Sequence, residues 1–386
     1  MNNQWKIYLL TIVCFFTGTS EFVIVGVLDE ISKSANITIS QAGQLIAVFA
    51  ITSAIGTPIS IFYLRALNQQ KIIMLALLLI IIGSVLLSIA PNYSLMILSR
   101  IIMALGVGLF NVQCFLVATK LVSPEKRASA IGTVTIGFNA ALILGLPMGR
   151  IITAMFGWKA IFWILALFCF ASMALVYKFI PAFEVEKPTP FKKQLSAIKN
   201  TKIVLSMGIS LFWILGYATY YTFITPYLRQ VSLLSEQLLS PTLLAFGIAT
   251  LIGNRLGGYL GDKFGIPQVI LICMLLNTAS ILTLSMLKGT PLLIIPALMT
   301  WALAAWAPGP LLRYNVISLS SEEPGVILSL YNSLIQVGVA AGAGLGGIVI
   351  NHLPIISLSY TAAMLVFISS VITFFFIKSK KYGIGQ

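Results

Sequence analysis

The chain has 386 residues, of which 59% are hydrophobic and only 9% charged, with a mean hydropathy of +1.00. A soluble domain carries about 25% charged residues, so a soluble fold is excluded and the chain is an integral membrane protein. The net charge of +14 would suit nucleic acid, but the Lys and Arg residues sit in short loops between apolar runs rather than as a basic stripe, which is a topology signal.

Lipid offers no hydrogen-bond partners to a backbone, and these runs lack the alternation of barrel strands, so they predict helices. Windows of about 20 apolar residues place spans near 7–28, 40–62, 72–90, 94–119, 128–152, 158–180, 203–228, 238–261, 267–287, 290–316, 324–350 and 354–377. The expected fold class is all-α, an integral membrane protein of about twelve transmembrane helices. Lys6 before the first run looks like the start of a signal peptide, but the run is too long and lacks Ala-x-Ala, so it reads as a retained span.

That first span carries Glu21, inside Thr17-Gly18-Thr19-Ser20-Glu21-Phe22-Val23-Ile24-Val25-Gly26. An ionised acid near the bilayer centre costs at least ~3 kcal/mol on insertion scales, so Glu21 should face a protein interior or a wet cavity. Arg100 in the fourth span is its match in depth. Glu21 lies about seven residues (~10 Å) and Arg100 about six residues (~9 Å) from the same outer surface, on helices running in opposite directions. An ion pair would offset both desolvation penalties, and protonating Glu21 would dissolve it, giving two states of different charge. A static structural pair and an outward-snorkelling Arg100 are the competing readings.

Arg150 and Arg313 lie near span ends and read as snorkelling residues with no coupling role. Arg255, deeper in the eighth span, reads as facing substrate or a helix C-terminus. Cys14, Cys114, Cys169 and Cys273 fall in apolar segments without metal-ligand spacing and read as small core residues. His352, in a short outer loop, reads as a surface histidine.

Arg65, Lys71, Lys120, Lys126, Arg127 and the lysines from Lys178 to Lys202 share one side with Lys378, Lys380 and Lys381, which predicts both termini in the cytoplasm. The segment 184–202, polar and proline-containing, reads as a cytoplasmic linker between an N-terminal six-helix bundle (1–183) and a C-terminal one (203–386). Internal repetition agrees: Ser123-Pro124-Glu125 aligns without gaps with Ser320-Ser321-Glu322, Asn139 with Gln336, and Gly145-Leu146-Pro147-Met148-Gly149 with Gly342-Ala343-Gly344-Leu345-Gly346. Two pseudo-symmetric halves are expected. Ser123 and Glu125 also fit a plain helix cap and dipole role.

Three motifs carry a family likeness. Gly258-Tyr259-Leu260-Gly261-Asp262-Lys263-Phe264-Gly265 matches G-x-L-x-D-x-x-G. Arg100-Ile101-Ile102-Met103-Ala104-Leu105-Gly106 is similar to R-x-x-Q-G-x-G, with Met103 and Ala104 at the Gln and first Gly. Gly145-x-Pro147-x-Gly149, ahead of Gly157-Trp158, keeps part of G-P-x-x-G-G. Over nearly its whole length the chain resembles the major facilitator superfamily, in its twelve-span drug:proton antiporter branch, and within it bacterial exporters of sugars, purines and chloramphenicol.

The resemblance implies a monomeric secondary transporter in a bacterial cytoplasmic membrane that works by alternating access, needs no cofactor beyond the proton gradient, and has a small molecule, protons and the bilayer as partners. It implies a gate at Gly258, Asp262 and Gly265, with Arg255 nearby. The first-half equivalent, Tyr63 to Lys71, lacks the acid and glycines, which leaves any motif-dependent latch to the second half. The partial antiporter signature favours export.

In the resembling family the first, fourth, seventh and tenth spans line a central cavity. Trp213, Tyr217 and Tyr220 share one face of the seventh span, with Tyr221 beside them, a stripe that equally suits packing or an interface belt. The tenth adds Trp301 and Trp306 before Ala307-Pro308-Gly309-Pro310, where prolines should break the helix. Asn111, Gln113, Asn139, Asn332 and Gln336 are further candidates to orient a ligand or to bond between helices.

The cavity so composed is neutral and aromatic apart from Glu21 and Arg100. A small neutral or weakly polar compound exported against protons is therefore the expected activity, with a facilitator, an importer or a non-transporting sensor as alternatives. No metal site and no catalytic nucleophile-base set is present in the sequence pattern, which argues against an enzyme. Glu21 aligns with Ala218 in the repeat, which implies that the first half handles the proton and the second the aromatic wall and gate.

Overall fold

The computed structural model describes residues 4–64, 66–123, 127–183, 201–287, 289–318 and 324–381. The described residues are helical, and twelve helical spans among them are long and apolar enough to cross a membrane. The chain forms two compact units, Met1–Pro188 and Thr189–Gln386. The proposed linker lies outside the described residues except for Thr201 and Lys202, which open a helix. Pro124, Glu125 and the Ser320-Ser321-Glu322 cap also lie outside them.

In the first unit the helices are α1 (Gln4–Gly26), α2 (Leu28–Ser34), α3 (Ile39–Leu64), α4 (Gln69–Ile89), α5 (Tyr93–Lys120), α6 (Arg127–Phe156) and α7 (Trp158–Phe179). α1 packs mainly along α6, α4 along α5 and α7, and α3 along α5. Short polar caps set the ends: the Asn68 side chain accepts from the Lys71 N–H at 2.9 Å and that of Asn92 from the Leu95 N–H at 3.0 Å, each satisfying a donor the helix cannot. Gln70 Nε2 donates to the carbonyls of Tyr177 (3.0 Å) and Ile180 (2.6 Å), closing the C-terminal end of α7 against the start of α4. Gly157, at φ +80°, makes the tight α6–α7 turn in a region glycine enters at little cost.

The second unit comprises α8 (Thr201–Tyr221), α9 (Ile224–Gln230), α10 (Glu236–Phe264), α11 (Ile266–Met286), α12 (Pro291–Trp306), α13 (Pro308–Ser318), α14 (Pro324–His352) and α15 (Ser357–Lys381). α8 packs along α14 and α15, α11 along α15, and α10 along α12. The seventh span ends in a break followed by a short helix, α8 then α9, as the first does with α1 then α2. The tenth span breaks at Ala307, between α12 and α13. This is where the proline pair was expected to break it, because Pro308 and Pro310 have no N–H to give the preceding turn.

The break is held by α10. Gly253, Gly257 and Gly261 form a stripe at four-residue spacing against Leu303, Ala307 and Leu311, the small-residue contact that lets helix backbones approach in lipid. A Cβ on Gly257 would lie 2.6 Å from the Ala307 carbonyl carbon. Helix propensity would favour alanine by about 1 kcal/mol, but overpacking against backbone costs about 1–3 kcal/mol. Gly257→Ala should therefore lower the thermal midpoint of the purified protein, whereas Gly258→Ala, whose Cβ would meet nothing within 4 Å, should not.

Candidate functional site

Among the described residues the buried Asp, Glu, Lys, Arg and His side chains are Asp29, Arg100 and Arg150, all in the first unit. Arg100, on α5, is 0% exposed. Its Nε donates to the Leu45 carbonyl at 3.3 Å, Nη1 donates to the Ser20 carbonyl at 3.0 Å, and its Cζ lies 4.2 Å from the Phe49 ring centroid. One guanidinium thus ties α5 to α1 and α3, a task suited to a flat group with fixed donor directions that also stacks on rings.

Its third nitrogen, Nη2, makes no hydrogen bond in the structure. Glu21, half-buried and next in the chain to the bonded Ser20, acts on the guanidinium as a neighbouring charge. The depth argument thus leads to the right neighbourhood. The guanidinium donates to the backbone carbonyls of Leu45 and Ser20, while Glu21 supplies the compensating charge.

Arg150 corrects the sequence reading. It is 2% exposed rather than snorkelling, and its Nη1 meets Asp29 Oδ1 at 2.6 Å and the Gly26 carbonyl at 3.4 Å. The pair forms because α1 stops at Gly26, the chain turns at Val27, and α2 brings Asp29 beneath α6. Trp158 Nε1 donates to Ser34 Oγ and fixes the far end of α2 to α7. The first unit therefore holds two buried charge centres, where the sequence suggested one.

In the second unit four rings close a cycle. Tyr217 stacks on Tyr221 (centroids 4.9 Å apart), Tyr221 on Phe246 (5.6 Å), Phe246 leans on Trp301 (5.3 Å), and Trp301 stacks on Tyr217 (5.6 Å). Trp306 stands edge-on to Tyr217 at 5.4 Å and to Trp213 at 6.4 Å, and Tyr220 edge-on to Trp301 at 5.0 Å. Offset stacks and edge contacts are the favoured aromatic geometries. Phe246, which sequence reasoning passed over, is the residue the repeat register aligns with Phe49. In the first unit that phenylalanine carries a guanidinium; in the second it carries an indole.

The polar ends of this cluster are unevenly satisfied. Trp213 Nε1 donates to the Ala305 carbonyl (2.8 Å), Trp301 Nε1 to Asn277 Oδ1 (3.0 Å), and Ser359 Oγ to the Tyr227 hydroxyl (2.8 Å). The hydroxyls of Tyr217, Tyr220 and Tyr221 and the indole nitrogen of Trp306 are buried with no hydrogen bond. Asn277, 0% exposed on α11, is a further residue the sequence reading missed; an apolar span with one asparagine was the only signal.

The remaining candidates are scattered. Gln113 is buried and Asn111 half-buried, each with an unbonded side-chain oxygen; Asn139 and Gln336 are half-buried, and Asn332 is exposed. Asp262 and Arg255 are exposed, Gly258 is half-buried, and Gly265 takes φ +91° in the α10–α11 turn. The start of α11 has no side-chain cap; Gly265 and the proline in the first turn set it.

Twelve apolar spans in two units, with charge buried at one end of the chain and aromatic surface at the other, define a polytopic membrane transporter. The chain belongs to the Major Facilitator Superfamily, whose family model matches residues 10–343. It is 38% identical over 371 residues to an uncharacterized MFS-type transporter, YbcL, of Bacillus subtilis (strain 168), covering 96% of this chain and 95% of that one. It is 27% identical over 383 residues to a probable sugar efflux transporter of Pasteurella multocida (strain Pm70), covering 98% and 93%. Among solved structures, a bacterial homolog of the human lysosomal transporter Spinster superposes with a TM-score of 0.78 at 16% identity, covering 98% of this chain and 97% of that one. That likeness shows the fold alone.

Proposed function

We propose that this transporter exports a small, uncharged or weakly polar organic compound across a bacterial cytoplasmic membrane in exchange for protons, by alternating access. The observation that carries the reading is the fully buried Arg100 with Glu21 as its neighbouring charge. When Glu21 is ionised the guanidinium is compensated; when Glu21 takes a proton, a buried cation is left with backbone carbonyls alone. The two states differ by several kcal/mol of burial cost before relaxation, enough to bias a two-state element.

Export is favoured by the partial antiporter signature at Gly145, Pro147 and Gly149 and by a relative named as an efflux transporter. The positively charged loops support an orientation with both termini in the cytoplasm. Asp262 with Gly258 and Gly265 serves as the inner gate, and Arg255 flanks it. The substrate-facing candidates are the aromatic cluster, Asn332 and Gln336 in the second unit and Asn111, Gln113 and Asn139 in the first. The protein works as a monomer, with the proton gradient in place of any cofactor.

The test is flux in proteoliposomes, using a compound first found by its thermal shift on the purified protein. An antiporter drives substrate toward the acidic compartment, so an acidic lumen should give uphill uptake. Uptake driven by an alkaline lumen would identify a symporter, and equilibration indifferent to the gradient a facilitator; either result overturns the proposal.

A further inference from the structure

The second unit satisfies the indole N–H groups of Trp213 and Trp301 with protein acceptors and leaves that of Trp306 without one. Trp306 is the last residue of α12, at the break. Its nitrogen and the Tyr221 hydroxyl both adjoin the Tyr217 hydroxyl, yet none of the three atoms achieves a well-aligned hydrogen bond. Tyr217 and Tyr221 are 5% and 7% exposed, while Trp306 is half-buried, so the open side of the set is at Trp306.

The donor count points to what is absent. An indole offers one donor and no acceptor, and each phenol one donor and an accepting oxygen. Three hydrogens therefore face two oxygens. Even a perfect chain from Trp306 through Tyr217 to Tyr221 leaves one O–H unspent. Buried polar groups in native proteins are nearly always bonded, and an unbonded set calls for a specific cause.

Charge narrows the partner further. Among the described residues the second unit buries no ionisable Asp, Glu, Lys, Arg or His side chain, so nothing there would compensate a charged ligand, whose burial unpaired is costly. The ring faces of Tyr217, Tyr221, Phe246 and Trp301 are near-parallel, with interplanar angles of 19°, 22°, 30° and 22° around the cycle. A flat ring can join such a stack.

We infer that Tyr217, Tyr221 and Trp306 form a donor site for the carbonyl oxygen of an uncharged planar ring, which makes carbonyl-bearing ring compounds, rather than sugars or lipophilic cations, the substrate class. This rests on the export reading only in taking the cluster as substrate-facing. On binding, the ring lies against the aromatic cluster and its carbonyl takes the surplus hydrogen.

Equilibrium dialysis against the full-length protein in lipid nanodiscs, with empty nanodiscs as the blank, tests this without any pH gradient. The probes are coumarin, which is planar, neutral and carbonyl-bearing; naphthalene, a ring of similar size with no acceptor; arabinose; and tetraphenylphosphonium. Coumarin should bind roughly tenfold tighter than the other three, the factor that one net hydrogen bond of about 1.4 kcal/mol provides.

The triple variant Tyr217→Phe, Tyr221→Phe and Trp306→Phe keeps the aromatic rings and removes all three donors, and should bring coumarin to the level of naphthalene; a single Tyr→Phe change removes an acceptor with its donor and leaves a surplus hydrogen in place. If the triple variant misfolds, the comparison of coumarin with naphthalene on the wild-type protein decides alone. Equal binding of coumarin and naphthalene, a coumarin preference that survives these substitutions, or tighter binding of arabinose or tetraphenylphosphonium would overturn the assignment. The carbonyl preference stands or falls on binding alone, and proton exchange on gradient-driven flux, so failure of one is distinguishable from failure of the other.

Discussion

Glu21→Gln should reduce pH-driven uphill transport to background, a loss of at least about 100-fold, while substrate exchange at equal pH on both sides continues. Glutamine has the shape of glutamate and cannot titrate, so the variant is held in the charge state that protonation produces. The charged form of an acid within a span costs at least ~3 kcal/mol, and each 1.4 kcal/mol is tenfold in an equilibrium; removing a term of that size from one state fixes the balance between the two.

Arg100→Ala would be a poorer probe. It strips the Ser20 and Leu45 carbonyls of their donor and empties the space over Phe49, so loss of activity would follow from loss of structure. Arg100→Lys retains the charge but has neither the fork nor the flat face, and should give a folded protein with impaired coupling. Counterflow assays on Glu21→Gln separate coupling from folding, and uphill transport at the wild-type rate would refute the role of Glu21.

The parts of this fold that could be read from sequence are those set by local rules. Span lengths follow from hydropathy, the break at Ala307 from two prolines, and the place of Glu21 as a charge neighbouring Arg100 from depth along opposed helices. The misread parts depend on which faces meet. Arg150 is near a span end, so snorkelling was the economical reading; its burial depends on the turn at Val27 that folds α2 back to place Asp29 beside it, 121 residues away in the chain.

The glycines show the same limit. The loop motif drew attention to Gly258, while the close approach is at Gly257, one residue away and on the face turned to Ala307. Helical spacing likewise put Trp213, Tyr217 and Tyr220 on one side of α8 but did not reveal that Phe246 from α10 would close a cycle with Tyr217, Tyr221 and Trp301, or that Asn277 from α11 would bond Trp301. Those contacts join residues far apart in the chain, and no local pattern records them.

Arg150→Met should destabilise the first unit by about 3–5 kcal/mol, because removing one member of a buried pair takes from the other its ion-pair partner. Asp29 is 5% exposed and Arg150 2%, so neither can recover its hydration without local unfolding of α2 from α6. Asp29→Asn should cost less, since asparagine still offers an oxygen to the guanidinium, although it leaves the buried cation unneutralised. Replacing both, as Asp29→Leu with Arg150→Met, should recover most of the loss, because an apolar pair of similar volume carries no desolvation penalty. The double-mutant cycle from thermal or denaturant unfolding of the purified protein thus separates a pair that stabilises only by mutual compensation from one that is needed for the α1–α2 turn itself. Recovery in the double variant indicates the first. Persistent loss, with Arg150→Met no worse than the double variant, would mean that the guanidinium's contact with the Gly26 carbonyl at the end of α1, rather than the charge pair, holds the turn.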